Sequence, residues 1–382
     1  MSWIVPENKL DDKQVEFIEK FDELVRNKVW IKGFPGSGKS VLLAYAVKKI
    51  KSKPDTNLLI VVFTHSLINM YKAAFAEMGF NNVKIATYFN FNSHNRNYDY
   101  ILCDEVQDLP VSIVEEMKKR TKHLIVAGDS SQSIYDKCPR TNEATITPNQ
   151  LRNVLVPSEF ELNIIHRLSA SIINAVNRFL PNLNIFGAKR DPNRRDTQVR
   201  LGEAYNEEEE AKYIIREAKK AINTGDTACV LIPTHNKIKS FIQSVISTEG
   251  SQPFEYDDYN ELNRKLQEEN IPLQYVGNGH GNFNGSRKIC VMTYHSSKGL
   301  DFDNVFIPYL NNSLYIGPNE TLNKTLFMVA MTRSRKNLYL TYNGYEHRYL
   351  NNFASDCNKI NIHDALTGVQ QQNNGGSIFA GF

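Results

Sequence analysis

The sequence predicts an α/β protein built from two successive parallel sheets. Apolar, strand-like runs alternate along the chain with helical patterns, which is how parallel α/β units read. Most of the runs are continuously apolar instead of alternating, as strands covered on both faces require. The length of 382 residues suits two or three domains at roughly 150 residues each.

In the first half the expected strands are Val29–Lys32, Leu58–Thr64, Tyr100–Cys103 and His123–Ala127, separated by helices such as Ser40–Lys51 and Leu67–Met78. A second set begins after Pro157, with strands Val199–Glu203, Ala228–Pro233, Ile289–Thr293, Val305–Pro308 and Leu338–Tyr342. Residues 1–157 and 158–366 are therefore expected to form separate domains, and 367–382, rich in Gln, Asn and Gly, a mobile tail. The helix Asn206–Ala221 carries its own punctuation: Asn206 as cap, Glu207 to Glu210 at the positive end of the dipole, Lys219 and Lys220 at the negative end. That acidic run reads as helix stabilisation. Residues 137–157 and 250–285 are the least regular stretches, and no internal repeat is visible.

Hydrophobic residues at 41% and charged residues at 23% allow each domain a full core. The formal charge of +3 neither favours nor excludes a nucleic-acid partner, because a basic groove can sit within a near-neutral total. Five scattered cysteines, three in apolar strand-like runs and none with metal-ligand spacing, read as buried thiols in a reducing compartment. No stretch approaches 18 apolar residues and the N-terminus lacks the pattern of a secretion signal, so the expectation is a cytoplasmic protein with no membrane partner.

Gly33-Phe34-Pro35-Gly36-Ser37-Gly38-Lys39-Ser40 matches the phosphate-cradling pattern GxxxxGK[ST], directly after a strand and opening a helix. In such a loop the glycines let backbone N–H groups close around phosphate oxygens. The helix N-terminus adds positive potential, Lys39 reaches the β- and γ-phosphates, and Ser40 ligates Mg²⁺. Tyr100 to Cys103 leads into paired acids. Asp104, on a strand beside that loop, can hold Mg²⁺ through water, and Glu105 can orient and deprotonate an attacking water.

The string Asp104-Glu105-Val106-Gln107-Asp108 resembles the DExQD box of UvrD/Rep/PcrA-like superfamily 1 helicases, and Gly128 to Tyr135 resembles their GDxxQSIY motif. Other motifs follow in the family's order. Leu10 to Gln14 resembles the Q motif, Phe63-Thr64-His65 the FTN-type motif, and Asn163 to Arg167 the NYRS segment. Thr293 to Phe302 resembles TxHSAKGLEF, and Val329 to Arg335 resembles VALTRAR. The resemblance spans Leu10 to about Tyr342 and implies two tandem RecA-like P-loop NTPase domains with an ATP site in the cleft between them.

By that resemblance Gln14 contacts adenine, Gln132 senses the γ-phosphate, and Arg167 and Arg333 reach it from the second domain. His166 stacks on the base and Asp301 contacts the ribose or orders the cleft. Asp11-x-x-Gln14 also fits a simple capping box, and the two roles are compatible. Phe63, Thr64, His65, Tyr88 and His295 are the candidate strand contacts, with core packing the ordinary alternative for the aromatic ones.

Four departures from the family pattern stand out. Only 17 positions separate Thr87 from Asp104 and only 43 separate Val245 from Lys288, where relatives place accessory arms. The second interval holds at most a short helix such as Tyr259–Glu269. Lys137 stands where relatives carry a base-stacking aromatic, and Phe89 where they carry a DNA-contacting histidine. Val41 and His166 replace the arginine and tyrosine that sandwich adenine. The expectation is thus an ATP- and Mg²⁺-dependent translocase or helicase on single-stranded nucleic acid, DNA by resemblance. The alternative is a nucleotide-gated regulatory ATPase that controls a protein partner such as a nuclease or effector.

Overall fold

The computed structural model describes residues 4–92, 96–129, 141–181, 189–190, 196–277, 279–281 and 287–368, together with Ser133, Tyr135, Lys137 and Cys138. The first sheet holds six strands: β1 (Val29–Gly33), β2 (Leu58–Val62), β3 (Lys84–Thr87), β4 (Tyr98–Cys103), β5 (Thr121–Gly128) and β6 (Ser158–Leu162). They pair in the order β3-β2-β4-β5-β1-β6, all parallel. A two-stranded pairing of β7 (Ile164–Ile165) with β8 (Lys189–Arg190) follows.

The second sheet contains β9 (Arg200–Ala204), β10 (Ala228–Ile232), β11 (Leu273–Tyr275), β12 (Ile289–Thr293), β13 (Phe302–Ile307), β14 (Ser334–Asn343) and β15 (Asn358–Asn361). Its order is β11-β12-β10-β13-β14-β9-β15, again wholly parallel. One apolar cluster runs from Ile31 and Leu102 in the first sheet to Val305 and Leu340 in the second. Separate clusters cover the other face of each sheet.

Every interior strand of both sheets was legible as an apolar run, and the four strands that were not are the four edges: β3, β6, β11 and β15. An edge is covered on fewer sides, so its residues need not be apolar. In β15 (Asn-Lys-Ile-Asn) none is buried, and in β6 (Ser-Glu-Phe-Glu-Leu) apolar and polar residues alternate. β6 also moves the end of the first sheet past the expected boundary at residue 157, because Val29 to Gly33 pair with Ser158 to Leu162. A second adjustment concerns Asp104, since β5 lies between its strand β4 and the loop-bearing β1.

Four of the five cysteines are buried, all are free, and Cys103, Cys229 and Cys290 lie in β4, β10 and β12. Among the described residues no helix is long and apolar enough to cross a membrane. The tail beyond Gly368 lies outside the described residues.

The helix Glu207–Asn223 has the expected cap, with Asn206 Oδ1 accepting from Glu209 N at 2.8 Å. The reading of its acidic run needs correction at Glu210, which is fully buried. Its carboxylate accepts from Tyr309 N at 2.8 Å, Thr341 Oγ1 at 2.6 Å and Asn343 Nδ2 at 2.7 Å. Glu210 therefore clamps the helix to the carboxyl ends of β13 and β14. Burial raises its pKa, and these donors oppose the rise. Glu210→Ala strands three buried donors, so the expected loss is about 2–3 kcal/mol of stability, read as a lower urea midpoint.

Candidate nucleotide site and inter-sheet groove

Both clefts of interest form at the carboxyl ends of parallel strands, where open α/β sheets bind ligands. β1 ends at Gly33, the loop turns through Gly36 (φ 76°) and Gly38 (φ 91°), and the helix Lys39–Lys51 begins. A side chain at Gly36 would put its Cβ 2.6 Å from Arg167 Cβ, so only glycine lets the second half of the chain approach the loop so closely. Lys39 is buried, and its ammonium donates back to Gly33 O at 2.8 Å and Phe34 O at 3.1 Å. Burial lowers its pKa, against the pull of Asp129, Glu105 and Asp104.

Ser40 Oγ donates to Asp104 Oδ2 at 2.7 Å, and the hydroxyl of Tyr71 donates to the same oxygen at 2.8 Å. Burial and the neighbouring Glu105 push Asp104 up to about 6. Glu105 sits in the left-handed region (φ 56°), a strained conformation that turns its carboxylate into the cleft. Burial would raise its pKa, yet Lys298, Lys39 and the amide of Gln107 hold it below the ordinary value. Gln107 Nε2 donates to Glu105 Oε2 at 2.5 Å, while its Oε1 accepts from Asp129 N at 3.1 Å. Lys298, from the loop after β12, lies 2.6 Å from Asp108 and 4.0 Å from Glu105, with all three groups almost wholly buried.

These residues open onto a cavity of about 470 Å³ between the two sheets. Its lining includes Gln14, Gly36, Gly38, Lys39, Ser40, Glu105, His166, Arg167, Asp301 and Arg333, whereas Gly33, Ser37 and Asp104 of the expected site are not among the lining residues. Gln14 both completes the capping box with Asp11 and donates from Nε2 to Ser37 O at 3.2 Å. His166 is tied to Asp11 Oδ2 at 2.5 Å, and Asp301 faces Arg167 at 3.8 Å. Arg333 is fully buried and braced by Val329 O, Leu300 O and Thr332 Oγ1. Burial, with repulsion from Arg167, brings it down to about 9. Among the described lining residues the basic groups Lys9, Lys39, Arg167, Arg333 and Arg335 outnumber the acids Glu105 and Asp301. Gln132 lies outside the described residues.

A second cleft of about 580 Å³ gathers all five candidate strand contacts, Phe63, Thr64, His65, Tyr88 and His295. Phe63 stacks on Tyr88 at 5.1 Å and on Tyr135 at 4.9 Å, and Tyr135 reaches His295 at 5.7 Å. Phe63 and Tyr88 are themselves buried, so they build the wall. Phe89 and His235 stand at its surface, and Lys137, though exposed, is not part of the lining. No lysine or arginine occurs among the described lining residues of this groove.

Sequence reasoning missed Tyr71, Gln107, Lys298, Arg335, Tyr135 and His235 as parts of these sites. Gln107, Tyr135, Lys298 and Arg335 stood inside quoted motifs. Tyr71 and His235 had no signal beyond their places on a helix face and after a strand.

The family model of the viral superfamily 1 RNA helicase core domain matches residues 29–186, and that of the UvrD-like helicase C-terminal domain matches residues 235–345. A probable DNA helicase II homolog from Mycoplasma capricolum subsp. capricolum is 29% identical over 161 residues, covering 39% of this chain and 22% of that protein. The chain thus spans about a fifth of that relative's length. The C-terminal domain of a possible DNA helicase from Lactobacillus plantarum WCFS1 overlaps 49% of this chain and 92% of its own, at 14% identity and a TM-score of 0.34, too slight a likeness to add to the fold. The two family models fall in order on the two sheets, and each takes in loops that line the cavity, so the chain is similar over both sheets to UvrD/Rep-like superfamily 1 helicases.

Proposed function

We propose that the chain is an ATPase that moves along single-stranded nucleic acid, DNA by its family, with ATP in the cationic cavity and the strand in the neighbouring groove. The observation that carries this is the convergence of Lys39, Arg167 and Arg333 on the Ser40–Asp104–Glu105 cluster across one inter-sheet cavity. Ser40 and Asp104, an oxygen pair already 2.7 Å apart, fit a hard divalent cation. Mg²⁺ held there would neutralise charge on the β- and γ-phosphates.

The chain's own groups supply the rest. Lys39 exchanges its loop carbonyls for phosphate oxygens. Glu105, kept ionised by Lys298 and aimed by Gln107, orients and deprotonates the attacking water. Arg167 and Arg333 neutralise charge developing on the transferred phosphoryl group, and their repulsion falls when a polyphosphate lies between them. Hydrolysis removes that bridge, so the cleft opens. The helix His65–Glu77 links the two clefts, since it starts beside Thr64 in the groove and carries Tyr71 to Asp104.

The regulatory reading retains one supporting observation: a groove without lysine or arginine among its described lining residues offers little grip on phosphates. ATP turnover with and without single strands of DNA and RNA separates the two. Stimulation by a strand with no other protein present supports the motor. Turnover indifferent to every strand, yet raised by a protein partner, refutes it.

Lys39→Ala is expected to abolish turnover. Glu105→Gln should lower it roughly 10²–10⁴-fold while ATP still binds, and Arg333→Ala roughly 10³-fold or more; steady-state rates with a nucleotide-binding assay check both. Tyr71→Phe keeps the ring but removes the hydroxyl that donates to Asp104 Oδ2 and lies 3.5 Å from Ser40 O. It should raise the Mg²⁺ concentration for half-maximal turnover several-fold, with the fold intact by circular dichroism.

A further inference from the structure

The two ends of the nucleotide cavity differ in what they offer a ligand. At one end Ile4, Val5, Pro6 and Val41 provide apolar walls, with Val41 in the first turn of the helix that the phosphate loop opens. The segment before the first helix is anchored there by Tyr45, whose hydroxyl donates to Val5 O at 2.7 Å. The other end carries Asp301 and Arg335. A heterocyclic base fits the apolar end, because flat rings favour apolar walls with a few fixed polar groups.

What a base meets along its edge follows from the hydrogen bonds already made at that end. Gln14 is 3% exposed, and a Cβ on Gly38 would come within 2.3 Å of its Nε2, so its amide lies hard against the phosphate loop. Gln14 Oε1 accepts from Asp11 N at 3.2 Å, and one hydrogen of Nε2 goes to Ser37 O at 3.2 Å. Both Asp11 oxygens are engaged, Oδ1 by Gln14 N at 2.8 Å and Oδ2 by His166 Nε2 at 2.5 Å. Burial works against the Asp11 carboxylate, yet His166 and the amides of Gln14 and Lys13 hold its pKa below the ordinary value.

The main chain is occupied in the same way. Pro6 O accepts from Lys9 N at 2.9 Å, and Gly36 O from His166 N at 3.1 Å. The oxygens of Asp11, Gln14, Val5, Pro6, Gly36 and Ser37 thus each hold a hydrogen already. Two donors are left over. One is the second hydrogen of Gln14 Nε2. The other is the ammonium of Lys9, an exposed side chain on the cavity's lining that makes no hydrogen bond or ion pair with any described residue.

This set of groups distinguishes the two purines. Adenine presents an amine beside N7, whereas guanine and hypoxanthine present two acceptors, O6 and N7, which lysine and amide donors match. An incoming amine has to share an oxygen with the hydrogen it already holds. An incoming carbonyl meets hydrogens with no partner, and such differences in satisfied hydrogen bonds separate ligands of equal shape.

We propose that this end of the cavity reads a purine through donors alone, Gln14 at N7 and Lys9 at the 6-oxo group, so that GTP is taken at least as readily as ATP. Lys9 is then the specificity-determining residue. This rests on the cavity being the nucleotide site.

The test is isothermal titration calorimetry of the full chain, with Mg²⁺, against the β,γ-imido analogues of ATP, GTP and ITP, followed by turnover of the three triphosphates. The GTP analogue is expected to bind at least as tightly as the ATP analogue. The ITP analogue should match it, since hypoxanthine keeps O6 and N7 and lacks only the 2-amino group. Lys9→Met keeps most of the side-chain stem and removes the donor, so the ratio of GTP-analogue to ATP-analogue affinity should fall roughly three- to tenfold, the range of one net hydrogen bond. Lys9→Arg should restore the ratio, and in turnover the change should appear in KM and not in kcat. A ratio that Lys9→Met leaves unchanged overturns the assignment of Lys9. An ATP analogue that binds about tenfold or more tighter than the GTP analogue overturns donor-only reading while leaving the nucleotide site standing. Failure of the folded chain to bind any of the three overturns the nucleotide site and the inference together.

Discussion

The buried ion cluster of Lys298 with Asp108 and Glu105 is the contact on which the two-cleft arrangement depends. Lys298 comes from the second sheet and both carboxylates from the first, so the cluster ties the two halves together at their carboxyl ends. Charges this deep are expensive to desolvate, and removing one partner of such a pair typically costs about 3–5 kcal/mol. The chain accepts that cost at the point where the two clefts adjoin. On one side of the cluster Glu105 faces the cationic cavity, and on the other the loop that carries Lys298 also carries His295 into the groove.

The same cluster sets the electrostatics of the nucleotide cavity. Glu105 keeps its charge in a buried, strained position because Lys298, Lys39 and Gln107 favour the ionised form. Its neighbour Asp104 also feels Lys39 and accepts from Ser40 and Tyr71, yet burial together with Glu105 outweighs them and drives it up to about 6. Two adjacent carboxylates on one strand end are thus pushed apart in acidity. Under the proposed function that difference suits them to different work, one as a base and the other as a metal ligand. Arg333, held by two main-chain oxygens and the Thr332 hydroxyl, adds a buried positive group facing the same cavity.

The two clefts differ in chemistry as sharply as in contents. Five basic side chains line the cavity, whereas rings, imidazoles, hydroxyls and an amide make up the described lining of the groove. Under the proposed function the basic cavity takes the polyphosphate, which leaves the strand the cleft with no lysine or arginine among its described lining residues.

By itself the sequence determined the interior strands, the phosphate loop and the acids after β4, because each leaves a local mark: a continuous apolar run, a glycine spacing, a carboxylate pair at a strand end. It missed β3, β6 and β15 because an edge strand can have too few covered faces to demand apolar residues, and β11, buried at all three positions, because so short a run does not stand out; the boundary set at residue 157 was consequently drawn before β6 had closed the first sheet. Glu210 read as one of four helix-cap acids, since nothing local says that a side chain at that turn points inward to Tyr309, Thr341 and Asn343. Tertiary structure alone decided that Lys298 meets Asp108 and that Tyr71 meets Asp104. Both pairs join residues far apart in the chain, the first through the packing of the two sheets and the second through packing within the first half.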